Sequence, residues 1–429
     1  MPPYTKLSNK NGAMLDPSFS HKTLSAFVIK TDSAKFGLAS EEIKNLRLNL
    51  LAQKINEDRY SLRFSKSSVN GRPIAQPATF ESAVVMRKLD HDLKKLTGIK
   101  QADRTRIIRR MKILMAEGIP YTIVRLDIRK FYQTINIDAL RKCLISATRT
   151  TYSLRRMLDR FLNWCSENCD GIPAGVSLSG LLSEIYLKEF DSKVLAHPEL
   201  RFYARFVDDI IMITSPNVER TSFFDFLQTS LPQGLEFNTE PNKHYFKKVN
   251  NNFDKNSDYC AKFDYLGYCF HVGKIINPPG GAFRSAFRVV KIDISKKKIE
   301  KRKRKFILSL RAYLKDHDSQ KLVRRYLLLN SGYEFFDQSR SSKRRAGLCN
   351  TYPEIDFPSE GLSELQNFYH ATLLSPRSSF AARLRLAPVP RAQKKQILAL
   401  NLQRHVEMKL HFNFSISEMI QLNRCWRHV

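Results

Sequence analysis

The chain has no apolar run long enough to cross a bilayer, and its opening MPPYTKLSNKNGAM lacks the hydrophobic core of a secretory leader. Cytoplasmic residence is the expectation. Cysteine is sparse and scattered. The seven (Cys143, Cys165, Cys169, Cys260, Cys269, Cys349, Cys425) include no paired short-spaced sets of the kind that hold a structural zinc ion, so reduced thiols are expected. Cys165 and Cys169 sit four apart, which on a helix gives one face, but no second pair accompanies them. Acid is also scarce: 41 Asp+Glu stand against 72 Lys+Arg, a formal net charge of +31 with pI near 9.9. That balance calls for a phosphate-rich partner, nucleic acid first. No internal repeat is present. What remains is ordinary globular composition, 42% hydrophobic and 26% charged over 429 residues, enough for two or three domains.

Three regions follow from the patterning. Residues 1–80 form an irregular lead-in that ends in the turn-rich NGRPIAQPATF. Residues 81–288 alternate helical and strand-like stretches: two basic helices over 81–117 stopped by Gly118, a strand YTIVRLDI, and a helix begun near Asn136 or Asp138. A glycine-rich turn then leads into a long apolar helix over 171–195, followed by a hairpin over 201–215, a helix near 217–229 and a second hairpin in FDYLGYCFHVGKI. The order implies an α+β fold with an antiparallel sheet and helices on one side. From residue 291, KIDISKKKIEKRKRKF opens a basic segment at helical spacing, and residues 289–429 read as helix or loop broken at prolines.

The hairpin RFYARFVDDIIMITS sets two like charges, Asp208 and Asp209, between two strand-like runs. Asp is a good turn residue, and a hairpin tip is where it belongs. Adjacent carboxylates are also a ready ligand set for a hard divalent cation. The second reading needs a third carboxylate, and Asp127 at the end of the preceding strand supplies one.

The stretches LDIRKFY, GIPAGVSLSGLLSEIYL, ARFVDD, LEFNTEPNKHYF and FDYLGYCF occur in the order and approximate spacing of the palm motifs of reverse transcriptases, over roughly residues 70–290. The chain resembles that family. The resemblance implies a right-hand polymerase palm and fingers followed by a basic, mainly helical, thumb-like domain. It implies two Mg²⁺ ions, with Mn²⁺ as a substitute, held by Asp127, Asp208 and Asp209, the last being the less direct ligand. Nucleotidyl transfer explains these residue types, since two metals activate the 3′ hydroxyl and stabilise the phosphate in transfer. Tyr132 matches the aromatic gate against a ribose 2′ hydroxyl, and a register error of one would hand that role to Phe131.

By the same resemblance, Gly171 and Gly175 allow backbone approach to the nucleotide, and Ala174 stands where the family commonly has Gln. Phe206 stands where Tyr is more common. Lys243 matches the lysine that assists departing pyrophosphate, against the plainer reading of one more surface lysine. Leu266 and Gly267 match the primer-grip turn, and Arg72 loosely matches a finger contact to the triphosphate. In the basic segment, Lys296, Lys297, Lys298, Lys301, Arg302, Lys303, Arg304 and Lys305 are candidates for phosphate contacts.

Retroviral enzymes carry RNase H, for which no carboxylate set is found. Group II intron enzymes usually read PQG where this chain has PAG, and retron enzymes usually carry an NAxxH stretch that is missing here. The motifs are most similar to bacterial abortive-infection and defence-associated reverse transcriptases. That subgroup implies antiphage defence by DNA synthesis on a noncoding RNA or without a template. RNA, DNA product and dNTPs are then the partners, with a homo-oligomer or a partner defence protein as the implied assembly. Some members prime from a protein hydroxyl, and nothing singles out Tyr326, Tyr333, Tyr352 or Tyr369 for that. The alternatives are a retron or intron type of enzyme, and a degenerate palm that binds RNA as a scaffold.

Overall fold

The computed structural model describes residues 16–69, 72–147, 150–250, 259–277, 286–337 and 342–427. The chain divides into two compact units, each assembled from three stretches: Met1–Gln101, Ile128–Ala196 and Phe224–Phe237 in the first, and Ala102–Asp127, His197–Phe223 and Asn238–Val429 in the second. The architecture is α+β with antiparallel sheets, as the patterning implies.

The first unit is mainly helical. Its helix Phe80–Thr97 starts where Thr79 accepts a hydrogen bond from Ser82 N and stops at Gly98, whose φ of +64° is left-handed. Leu89 and Leu93 on its inner face are fully buried. The helix Ser177–Leu195 packs against it and is apolar on nearly all sides, with Leu178, Leu182, Leu187 and Phe190 buried, the pattern of a helix inside a core. A hairpin of β1 (Phe64–Val69) and β2 (Arg72–Pro77) completes the unit. Strand β2 is tied to the glycine-rich loop, since Ala75 N donates to Ala174 O at 3.0 Å and Ile74 bridges Ala174.

Among the described residues, the second unit holds three sheets. In the first, β3 (Tyr121–Asp127), β4 (Leu200–Phe206), β5 (Asp209–Thr214) and β6 (Tyr245–Val249) lie in the order β4-β5-β3-β6, all pairs antiparallel. Strands β3 and β5 are central and buried on both faces, which is why TIVRL and IIMIT read as near-continuous β-branched runs rather than as alternation. The second sheet is an antiparallel meander of β7 (Tyr259–Tyr265), β8 (Tyr268–Ile276) and β9 (Phe287–Ile294).

The helices Lys296–Asp316, Ser319–Asn330 and Glu360–Leu374 then pack about Phe306, Tyr326 and Tyr369. The basic C-terminal region is helical but contains a third sheet that its sequence pattern does not announce. There β10 (Gly332–Asp337) pairs antiparallel with β11 (Ser342–Gly347) and parallel with β12 (His411–Asn413). Strand β11 reads SKRRAG and is exposed over its first four residues, so no apolar alternation marks it.

All seven cysteines are free. Cys169 lies just past the end of the helix Tyr152–Asn168 in extended backbone, so it does not share a helical face with Cys165.

Candidate active site

Strand β3 ends on Asp127, and the antiparallel register sets Asp127 directly opposite Asp209, the first residue of β5. Opposed residues of such a pair point to the same face with Cα atoms about 4.5–5.5 Å apart. The turn between β4 and β5 is only Val207 and Asp208, closed by the pair Phe206 and Asp209, so the third carboxylate is bound to the same corner.

The turn is strained. Val207 takes φ +62°, a region that a β-branched residue rarely enters and that costs about 1–3 kcal/mol. Two anchors hold it: Arg205 Nη1 donates to Val207 O at 3.1 Å, and Tyr265 Oη donates to Asp209 O at 3.2 Å.

The electrostatics of the corner follow from crowding. Burial pushes the Asp209 carboxyl up to about 6, and the nearby charges of Asp208 and Asp127 push in the same direction, against Lys243 and Arg125. Arg125 is itself fixed by donating to the carbonyls of Asp264 and Asn242. Asp127 is buried, and each of its oxygens has a donor: Oδ1 accepts from Lys243 Nζ at 3.0 Å and Oδ2 from Asn238 Nδ2 at 3.2 Å. Asn238 N also donates to Asp127 O at 2.8 Å, so the segment Asn238–Lys243 is docked on the end of β3 from two sides.

Three crowded carboxylates are the donor chemistry of a hard divalent cation. Among the described residues, however, no group of three or more His, Cys, Asp or Glu side chains is gathered to hold a metal ion. The Asp127 carboxylate is engaged by an ammonium and an amide.

Residues 66–270 match the family described as reverse transcriptase (RNA-dependent DNA polymerase). The match covers a little under half of the chain. No curated protein matches the sequence. Among solved structures, the chain is similar to the RNA-dependent RNA polymerase of a human picorbirnavirus, at 11% identity and a TM-score of 0.36, over 81% of this chain and 63% of that one. It thus spans less than two thirds of that polymerase's length.

The matched stretch also contains the residues that the motif resemblance assigns to the nucleotide. Phe131 and Tyr132 open the short helix Phe131–Thr134, with ring centroids 5.3 Å apart. Phe131 is 4% exposed and belongs to the core, whereas Tyr132 is half-buried. Of the two, Tyr132 presents the accessible ring.

The glycines of the loop have local causes. A Cβ on Gly171, at φ +81°, would stand 2.4 Å from Tyr132 O, and one on Gly175, at φ +89°, would stand 2.4 Å from Ile74 Cγ2. Packing of the loop against its own unit therefore requires both, independently of any nucleotide. Ala174 lies between them, paired with β2. Arg72 opens β2, and its side chain lies outside the described residues.

At the β7–β8 turn of the same stretch, Leu266 (φ +47°) and Gly267 (φ +82°) form the two-residue mirror-image turn that suits a tight hairpin. Arg104, which the sequence reading passed over, fixes that turn. Its Nε and Nη2 donate to Leu266 O at 3.0 and 2.6 Å, while its guanidinium lies 4.7 Å from the Tyr268 ring centre and 5.2 Å from that of Tyr352.

Beyond the matched stretch, the basic helix Lys296–Asp316 divides its charges by face. Lys296, Lys297, Lys298, Lys301 and Arg304 are exposed. The other three candidates have partners within the protein: Arg302 donates to Leu329 O, Lys303 pairs with Glu300 at 2.8 Å and with Glu364, and Lys305 lies 5.0 Å from the Trp426 ring centre.

Reversing the five exposed charges is expected to weaken RNA binding and to reduce its log–log salt slope by about one unit per lost phosphate contact. Replacing Arg302, Lys303 and Lys305 should instead lower Tm. Binding titrations over a salt series, with melting curves for both sets, separate the two. An unchanged slope for the exposed set would place the nucleic acid elsewhere. Of the tyrosine hydroxyls considered as primers, Tyr326, Tyr352 and Tyr369 are buried and Tyr333 is half-buried.

Proposed function

We propose that the chain is an RNA-directed DNA polymerase that extends a primer from dNTPs at the Asp127, Asp208 and Asp209 corner. The observation that carries this reading is the register of Asp127 against Asp209 with Asp208 in the adjoining turn, three carboxylates crowded enough to raise one of them. Mg²⁺ or Mn²⁺ bound there would activate the 3′ hydroxyl and offset charge on the phosphate in transfer. The chain's own residues then have separate tasks. The three aspartates would hold the cations. Lys243, on the edge of the corner, offers an ammonium to the leaving pyrophosphate. The Leu266–Gly267 turn supports the primer end, the exposed face of the basic helix meets backbone phosphates, and Tyr132 is assigned to the sugar on the resemblance of LDIRKFY alone.

The finer reading is a defence-associated enzyme of bacterial type, making DNA on a noncoding RNA or without a template. Its support is the motif set GIPAGVSLSGLLSEIYL and ARFVDD, followed by a mainly helical C-terminal region. Among the described residues, no helix is long and apolar enough to cross a membrane.

Purified protein supplied with labelled dNTPs, Mg²⁺ and its co-purifying RNA is the test. Incorporation supports the polymerase, and the product sequence reports the template. RNA retained with no incorporation in either metal would leave a binding scaffold and overturn the reading.

A further inference from the structure

The ammonium of Lys243 stands where the carboxylate cluster most needs positive charge. Its Nζ lies 3.0 Å from Asp127 Oδ1, and the other oxygen of Asp127 is held by Asn238 at 3.2 Å. Asp127 and Asp209 face each other across the sheet with Asp208 next in the chain, and among the described residues no group of three His, Cys, Asp or Glu side chains is gathered to hold a metal ion. The Lys243 side chain is 41% exposed against 10% for that of Asp127. The lysine therefore reaches in from the rim on a flexible stem, and its head has a solvent path out. Its backbone is fixed meanwhile, Lys243 N donating to Glu240 O at 2.8 Å. The amide of Asn238, by contrast, belongs to a segment docked through its own backbone on Asp127 O. One donor to Asp127 is movable and one is built in.

We propose that Lys243 is the resident cation of this corner, and that a divalent metal ion enters by displacing it from Asp127. The inference rests on the polymerase reading and adds a second task for Lys243. In the metal-free protein the ammonium neutralises Asp127 and keeps the corner from splaying apart. On metal entry the two cations compete for the same oxygen, and the ammonium swings to the rim, where the triphosphate of an incoming nucleotide would lie. No covalent step is involved. A partly exposed ion pair is weak enough to be exchanged, as a resident placeholder must be. A guanidinium at the same position would be harder to remove, because its planar fork can hold both oxygens of a carboxylate.

The test measures metal alone, without nucleotide: Mn²⁺ binding followed by electron paramagnetic resonance for the full chain and for Lys243→Met, Lys243→Arg and Asp208→Asn/Asp209→Asn. The Met variant is expected to bind Mn²⁺ about five- to ten-fold more tightly than wild type, and the Arg variant more weakly than wild type by a similar factor. The Arg variant excludes a mere charge effect, since it keeps the charge and changes only the grip on Asp127. Equal affinities for wild type and Arg variant, or no gain in the Met variant, would overturn the displacement. The double Asn variant should lose the site. Failure of wild type itself to bind Mn²⁺, or unaltered binding by the double Asn variant, would remove the metal corner and with it the polymerase reading, a different outcome from failure of the displacement alone.

Discussion

Asp208→Asn combined with Asp209→Asn is expected to lower DNA synthesis by roughly 10³-fold or more, a loss of about 4 kcal/mol of transition-state stabilisation, while the protein stays folded. Asn keeps the shape of the turn and the hairpin keeps its register, but the corner loses two negative charges and their ligand oxygens. Stability should move the other way. The Asp209 carboxyl sits at about 6 against an ordinary 3.8 because burial and two neighbouring carboxylates resist its ionisation.

The folded protein therefore holds that proton more tightly than the unfolded chain. Stability is highest below about pH 4 with respect to this group and falls as pH rises through about 6. The full cost above that range is on the order of 3 kcal/mol. In metal-free buffer at pH 7.5 the double variant should melt above wild type and should lack the decline between pH 4 and 6. Mg²⁺ should raise the wild-type Tm and leave that of the variant unmoved. Melting curves over pH with and without Mg²⁺, run beside an incorporation assay, check both halves. Wild-type-like incorporation by the double variant would sink the polymerase; a lower Tm at pH 7.5 in metal-free buffer would mean that the carboxylates are not in repulsion.

The second large effect separates two neighbouring rings. Tyr132→Ala should relax selection of dNTPs over rNTPs by about ten- to a hundred-fold in the ratio of kcat/KM, mainly by speeding the ribonucleotide, because removal of a steric clash benefits the substrate that was clashing. Phe131→Ala should leave selectivity nearly unchanged and instead cost about 3–5 kcal/mol of stability, since Phe131 is 4% exposed and its truncation opens a core cavity. Competition assays with paired dNTP and rNTP, together with denaturant curves, read the two quantities independently. Relaxed selection in the Phe131 variant alone would move the gate one residue back, and no relaxation in either would remove it.

The parts of this molecule that are legible in its sequence are those with local signals. The YTIVRLD and IIMIT runs mark strands, and adjacent aspartates between two strand-like runs mark a turn with chemistry to explain. What escaped is mostly partner choice over long separations. Arg104 is one cation in a very basic stretch, and only the fold takes it to a carbonyl 162 residues away. Asn238 reads as an ordinary turn residue, and its contact with Asp127 crosses 111 residues. Helical spacing predicts that residues 296–305 form a helix. It does not say that Arg302, Lys303 and Lys305 turn toward partners in Leu329, Glu364 and Trp426. Strand β12 is three residues long and pairs in parallel with β10, so neither its length nor its pattern could announce it.

The short helix Phe131–Thr134 is backed by two glycines, not one. Gly171 lies against the Tyr132 carbonyl, and Gly234, at φ +87°, would set a Cβ 2.7 Å from the Thr134 carbonyl. A methyl group at either place collides with backbone, which cannot rotate away as a side chain can. Backbone thus approaches the helix closely at two of its carbonyls, which resists movement of its main chain. The ring at 132 can be exchanged for another by a single substitution, whereas sliding it nearer or farther has to move that main chain. Heritable change in what this part of the protein admits is therefore expected to run through the size of the side chain at 132 rather than through the backbone beneath it.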